Sequence, residues 1–217
     1  MNEIQRSEAI LKILNKIYPK TPIPLKHRNK FTLLISVLLS AQTTDVNVNN
    51  VTKNIYPKYN KPKHFVKLGR KKIEKLIKSI GIFRMKAKSV YLLSKILIKK
   101  HGGNVPQTFK ELEELPGVGH KTASVVMSQG FGQPAFPVDT HIHRLAQRWG
   151  LTNGKNVIQT EKDLKRLFPK KIWNKLHLQI IYYGREHCKA RECYGLSCKI
   201  CTTCYPNRKK PLKTKKA

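Results

Sequence analysis

Residues 108–131, TFKELEELPGVGHKTASVVMSQGF, constrain the fold more than any other stretch, because they spell two short helices around a tight turn. Thr108 with Glu111 fits a capping box, so a helix starts there. Pro116 ends it, since a proline pushes the residue before it out of helical geometry. In Leu115-Pro116-Gly117-Val118-Gly119 the glycines allow positive φ and the close approach of a second molecule. A second helix is predicted from His120 to about Gln129, with Ala123, Val125, Val126 and Met127 as much of its apolar content. Amides at a turn and at a helix start point outward and can take an anion. Such a contact reads no base edge and would be blind to sequence. The same pattern also occurs as an ordinary helix connection in a core.

The rest of the chain repeats the helical period. Ile4, Ile10, Leu11, Leu14 and Ile17 form one stripe near the start. Further helices are predicted over 31–41, 47–56, 70–79, 86–99, 161–167 and 173–183, with Gly69, Gly81 and Gly102-Gly103 as punctuation. No run alternates long enough for a sheet, so the expected class is all-α. Two lobes are expected: a helical bundle over about 22–132, and a second lobe of 1–21 with 133–206. Residues 207–217, rich in lysine and poor in apolar side chains, are expected to be a mobile basic tail.

Charge indicates what such a fold binds. The 217 residues carry 44 Lys+Arg against 12 Asp+Glu, a formal net charge of +32. That excess selects polyanionic partners rather than a fold. The longest apolar run, Leu33 to Leu39, is broken by Ser36 and is far short of the roughly 20 residues of a membrane span. The N-terminus has no signal-peptide core, and a cytoplasmic, monomeric protein is expected.

All five cysteines, at 188, 193, 198, 201 and 204, lie within one short C-terminal segment. Without an export signal, a metal or cluster is favoured over disulfides. Four close thiolates suit zinc or a [4Fe–4S] cluster, and spacing alone does not choose between them.

Two further residues have double readings. Lys121, at the start of the second hairpin helix, fits a phosphate contact. It also fits a nucleophile, because the positive end of a helix disfavours a protonated amine and a neutral amine can attack carbon. Asp139, ahead of the stripe Ile142, Leu145 and Trp149, fits an N-cap, a duty that would also fix a catalytic carboxylate.

The segment LPGVGHKTA resembles the helix-hairpin-helix of the endonuclease III family of DNA glycosylases. LLSAQTTD (38–45) resembles that family's buried helix and base-pocket loop, PVDTHIHR (137–144) its aspartate segment, and the cysteine-rich end its iron–sulfur loop. The resemblance runs in order over about 5–206. It implies the family's two-lobed helix-hairpin-helix glycosylase fold with a C-terminal [4Fe–4S] loop, acting on double-stranded DNA that holds a damaged base or abasic site. It also implies a bifunctional glycosylase and abasic-site lyase for oxidised pyrimidines, with Lys121 attacking C1′ and Asp139 assisting. The alternatives are a monofunctional glycosylase of a related branch and a noncatalytic DNA-binding protein. Related adenine glycosylases generally lack the lysine.

By the same resemblance, Gln42 fills the gap left by an extruded nucleotide and Ile82 is an apolar wedge. Read from sequence alone, Ile82 is equally a loop residue anchored in the core. Ser40 and Asp45 would line the pocket, with a helix-terminal hydrogen bond and a helix cap as their plainer roles. Gly117 and Gly119 would carry the phosphate contact. His141 would lie near the site's mouth, and Arg144 would pair with phosphate or an acid. The family's Cys-x6-Cys-x2-Cys-x5-Cys spacing is not kept. Cys188, Cys198, Cys201 and Cys204 are the favoured ligands, with Cys193 as the alternative.

Overall fold

The structure, a computed structural model, describes residues 1–217 and contains helices and turns but no strand. The chain divides into two compact units, residues 1–22 with 134–217, and residues 23–133. The first helix, α1 (Glu3–Ile17), starts at a capping box between Asn2 and Gln5.

Residues 23–133 are built around α2 (Lys30–Ser40), which is buried from Phe31 through Leu39. A helix apolar on all sides must sit at the centre of its lobe. Both of its buried hydroxyls are satisfied, Ser36 Oγ by Tyr56 Oη at 2.7 Å and Thr32 Oγ1 by Asn29 O at 2.9 Å. Then come α3 (Asp45–Thr52), α4 (Pro62–Leu76), α5 (Phe83–His101), α6 (Phe109–Glu113) and α7 (His120–Val125). The first half of α4 is not among the predicted helices. It starts on Pro62, which suits a first helical position, and bends at Gly69, whose φ of 71° interrupts the helix. α5 ends in left-handed Gly102, with Lys99, Lys100 and His101 in its last turn beside the negative end of the dipole. After α7 the backbone widens into a π-helical turn, Val126–Gly130, where a continued α-helix is expected.

The other unit contains α8 (Thr140–Arg148), α9 (Val157–Leu167), α10 (Trp173–Glu186) and α11 (Lys199–Cys204), with α1 packed on α9, α10 and α11. Ile10 and Leu14 of α1 join a core of Phe136, Ile142, Leu145, Trp149 and Tyr183. Each fully buried side chain of this size is worth about 1.5–3 kcal/mol. Buried Gln179 fixes the long-range contact, its amide nitrogen meeting Leu14 O, Asn15 Oδ1 and Tyr18 O at the end of α1. Leu14 O already accepts from Tyr18 N at 2.8 Å, whereas Tyr18 O lies past the helix end, where carbonyls lack helical donors.

Residues 207–217, expected from composition to be a mobile tail, make hydrogen bonds to the rest of their unit. Leu212 N donates to Tyr194 O, Gln147 pairs with both the N–H and the carbonyl of Lys215, and Arg208 donates to Arg148 O and Gly195 O. The segment has no apolar stripe, so hydrogen bonds hold it in place of a core.

Candidate active site and cysteine centre

In the unit 23–133, local sequence sets the hairpin. Thr108 Oγ1 accepts from Glu111 N at 3.2 Å, which is the cap read from the sequence. The carboxylate of Glu111 returns to the Thr108 hydroxyl at 2.6 Å rather than to its amide, so only half of the box forms. Leu112, Leu115 and Val118 are buried beneath the turn. Gly117 takes φ 81°, and a Cβ there would lie 2.8 Å from Ser89 and 3.1 Å from Leu38. Both conformation and packing therefore demand glycine. Gly119 precedes α7 as an N-cap without a side chain, and a Cβ on it would meet nothing within 4 Å. That face of the turn is open. Phe109 stacks on His120 with ring centroids 5.5 Å apart, and His120 Nδ1 lies 2.8 Å from Glu113 Oε1. Together they close the hairpin's ends. Lys121, one residue into α7, is exposed.

Two loops of the same unit adopt strained backbone. Gln42 has φ 55° and Ile82 has φ 51°; Gln42 is exposed and Ile82 is 46 % exposed. A left-handed conformation costs a non-glycine residue about 1–2 kcal/mol, and it is least expected of a β-branched one. Ile82 is therefore not anchored in the core; the structure presents it to solvent. Ser40 takes the plainer of its two roles, Oγ donating to Val37 O at 2.8 Å. Asp45 is not the cap of α3. Thr44 is, with its hydroxyl accepting from Asn47 N, and Asp45 stands in the first turn, where an acid suits the helix dipole.

The other unit holds the remaining residues. Asp139 is the N-cap of α8, Oδ1 accepting from Ile142 N at 2.8 Å. The cap orients the carboxylate and leaves Oδ2 unused by it. Arg144 does not extend as a phosphate contact. Its Nη2 donates to Gly184 O at 3.2 Å and to Cys188 O at 3.1 Å, and lies 3.3 Å from His141 Nδ1. The end of α10 offers carbonyls without helical donors, and they claim the guanidinium. Gly184 admits this contact, since a Cβ there would press on His141 at 3.3 Å.

The four cysteines that gather in the structure differ by one from the set that spacing favours. The sulfurs of Cys188, Cys193, Cys198 and Cys201 all lie within 4.8 Å of one another, and Cys204 is outside that group. Cys188 and Cys193 each place Sγ 3.9 Å from Cys201 Sγ. The reason is a reversal that spacing does not reveal. Tyr194 at φ 48° and Gly195 at φ 83° turn the chain back, so Cys193 enters the group. Cys198 caps α11 and Cys201 follows one turn later on the same face. Cys204 ends the helix a further turn along, buried, and burial pushes its thiol up to about 11.

Arg148 holds this loop, and the sequence reading missed it. It is 2 % exposed, and Nη1 donates to Cys188 Sγ at 3.3 Å and Lys189 O at 2.8 Å, while Nη2 donates to Ala190 O at 2.8 Å. Its only sequence signal is the four-residue step from Arg144 on a helix that also carries the apolar residues Ile142, Leu145 and Ala146. Cys198, hydrogen-bonded by Cys188 and Cys201, is held far below the usual thiol value, and Cys188, which shares its proton with Cys198, is raised. Cys193 is lowered as well and Cys201 is raised, so the group favours deprotonation at some sulfurs and resists it at others, and a cation is needed to ionise all four. Four buried sulfurs beside a buried guanidinium fit a resident metal centre.

The profile of the "HhH-GPD superfamily base excision DNA repair protein" matches residues 35–170. The chain is 40% identical to endonuclease III of Bacillus subtilis (strain 168) over 214 residues, covering 98% of each chain. It is 41% identical to endonuclease III of Escherichia coli (strain K12) over 204 residues, covering 94% of this chain and 96% of that one. A solved structure described as a trapped endonuclease III–DNA covalent intermediate superposes with a TM-score of 0.88 at 42% identity, covering 92% of this chain and 94% of that one. With its all-α fold, its hairpin and its C-terminal group of four cysteines, the chain belongs to the endonuclease III family of the HhH-GPD superfamily of base excision DNA repair proteins.

Proposed function

We propose that this protein is a bifunctional DNA glycosylase and abasic-site lyase that removes oxidised pyrimidines from duplex DNA. The observation that carries this reading is an exposed lysine, Lys121, at the head of the second hairpin helix, in a chain 42% identical to a protein solved as a covalent intermediate with DNA. The Lys121 amine attacks C1′ of the damaged nucleoside, the C1′–N bond breaks, and the base departs with a proton. Asp139, oriented by its cap, offsets the positive charge that develops at the sugar and helps move protons. Ring opening leaves an imine between Lys121 Nζ and C1′. Removal of a C2′ proton then breaks the C3′–O bond, which cuts the strand 3′ to the site and expels the downstream strand as a 5′-phosphate; water hydrolyses the remaining imine, which frees Lys121 and leaves an unsaturated aldehyde.

A stacked base is out of reach of Lys121, so the nucleotide must first be extruded. Gln42 takes its place opposite the orphaned base, and Ile82 wedges beside it. The hairpin amides around Gly117 and Gly119 hold a phosphate, and the +32 charge attracts the backbone. The metal group is proposed to be a [4Fe–4S] cluster held by Cys188, Cys193, Cys198 and Cys201, with zinc as the alternative. Its role is to fold the loop, because the reaction transfers no electrons.

Incubation with duplex DNA bearing an abasic site, in the presence of borohydride, should yield a reduced protein–DNA adduct. A panel of oxidised pyrimidines should give base release with strand cleavage. Base release without any adduct would overturn the lyase reading in favour of a monofunctional enzyme. Ile82→Gly should change stability by no more than about 1 kcal/mol, since relief of strain offsets lost side-chain constraint. The same variant should slow excision from paired DNA by about tenfold, the scale of one lost positioning contact. Chemical denaturation and single-turnover rates would show both.

A further inference from the structure

Lys86 is the only lysine in the buried set, 4 % exposed, and shares that set with one arginine, Arg148. Its ammonium donates to Leu39 O at 2.9 Å, to Ala41 O at 2.5 Å and to Thr43 Oγ1 at 3.1 Å. An ammonium has three protons, and all three are used. Burial pulls the cation's pKa down, so the position is held against a desolvation cost. Capping the end of α2, whose last carbonyls lack donors, is one part of its role.

The bonds also have a direction. Leu39, Ala41 and Thr43 bracket Gln42, while the backbone N–H of Lys86 donates to Ile82 O at 3.2 Å. The main-chain bond belongs to the first turn of α5, whose N-cap is Ile82, so the Lys86 side chain ties the Gln42 loop to the helix turn that Ile82 opens. The two loops also touch directly. A Cβ on Gly81 would lie 3.4 Å from Gln42 O and 3.6 Å from Thr43 Oγ1, and Asn47 Nδ2 donates to Ser79 O at 3.1 Å. A left-handed glutamine and a left-handed isoleucine both cost free energy and persist only where surrounding bonds over-determine them.

We infer that Lys86 is a positioning residue for nucleotide extrusion, holding the gap-filling Gln42 and the wedge Ile82 in register as a single preformed element. This rests on the proposed glycosylase reading and deepens it. The two side chains must enter adjacent places in the duplex together. If each loop moved independently, ordering them would be charged against every extrusion event. A preformed pair avoids that cost before DNA arrives. The effect is confined to substrates in which a base pair must be opened and its partner supported.

The test compares Lys86→Met, which keeps the stem and removes the three donors, with the unaltered protein on two duplexes. In one, the abasic nucleotide lies opposite a base. In the other it is bulged, with no partner base to support and nothing to extrude. Borohydride trapping gives the adduct rate on each, and 2-aminopurine opposite the paired site reports the orphaned base. The variant should lose about tenfold to a hundredfold more rate on the paired duplex than on the bulged one, with a smaller 2-aminopurine change on binding. Equal losses on the two duplexes would mean general structural support only, and unchanged rates would mean no role; either result overturns the inference. Should Lys86→Met fold poorly, Thr43→Val removes one of the three acceptors and should shift the ratio the same way by about threefold. An unshifted ratio there also overturns it. Failure of the unaltered protein to form adduct on either duplex would instead remove the glycosylase–lyase reading itself.

Discussion

Replacing Lys121 by alanine is expected to abolish the borohydride-trapped adduct while leaving a folded protein that still binds abasic DNA. Lys121 is exposed on a short helix, and the structure gives its side chain no role in the core. A surface substitution of that kind costs within about 0.5 kcal/mol. Binding loses one of 44 basic residues, so the slope of log affinity against log salt should fall by about one. Chemistry loses its only nucleophile, and strand cleavage should drop by roughly four orders of magnitude, about 5.5 kcal/mol of barrier. Asp139→Asn is the companion. Asparagine caps a helix about as well as aspartate, so the melting transition should move by the equivalent of no more than about 1 kcal/mol. Base release should nevertheless fall by about 10²–10³, because the amide cannot offset charge at the sugar or accept a proton. Single-turnover rates beside thermal melts separate the two effects. An adduct that persists undiminished in Lys121→Ala would remove the lysine from the mechanism. A Asp139→Asn protein with unaltered base release would reduce Asp139 to a cap.

The hairpin was readable because its determinants are local. Pro116, Gly117 and Thr108 each act within a few residues, and φ 81° at Gly117 is what a turn of that composition predicts. Asp139 as a cap was readable for the same reason. Other features depend on partners distant in sequence. Nothing near Lys86 marks it apart from the surface lysines around it; its acceptors lie more than 40 residues earlier. Arg144 and Arg148 read as ordinary basic residues until the cysteine loop folds over them and presents carbonyls. The first half of α4 was hidden by Gly69, which interrupts a pattern that resumes with a new phase. The π-helical end of the hairpin follows a helical apolar pattern that does not announce the extra residue per turn. Gly130, where a Cβ would approach Leu33 at 3.2 Å, marks the tight packing there.

The cysteine ligands show most sharply what spacing omits, and they carry the second large prediction. Counting residues favours Cys204, because it preserves a last cysteine after the Cys198–Cys201 pair. The fold favours Cys193, because the reversal at Tyr194–Gly195 brings it among the others, and Arg148 then seals the loop against α8. Cys193→Ala should therefore lose the metal group. With one of four ligands gone, the loop's binding free energy no longer contributes to folding, a loss of about 4 kcal/mol. In a protein of this size that lowers the melting temperature by about 8–16 °C. Cys204→Ala replaces a buried thiol by a methyl group, costs about 1 kcal/mol, and should keep its metal. Iron and zinc analysis of both purified variants, with the visible absorption that an iron–sulfur cluster has and zinc lacks, decides ligand set and metal together. Loss of metal in Cys204→Ala with retention in Cys193→Ala would restore the ligand set that spacing favours. In that case α11 would have to turn its last residue toward Cys188 on loading. The buried guanidinium of Arg148, already donating to Cys188 Sγ, limits how far that sulfur can move to meet it.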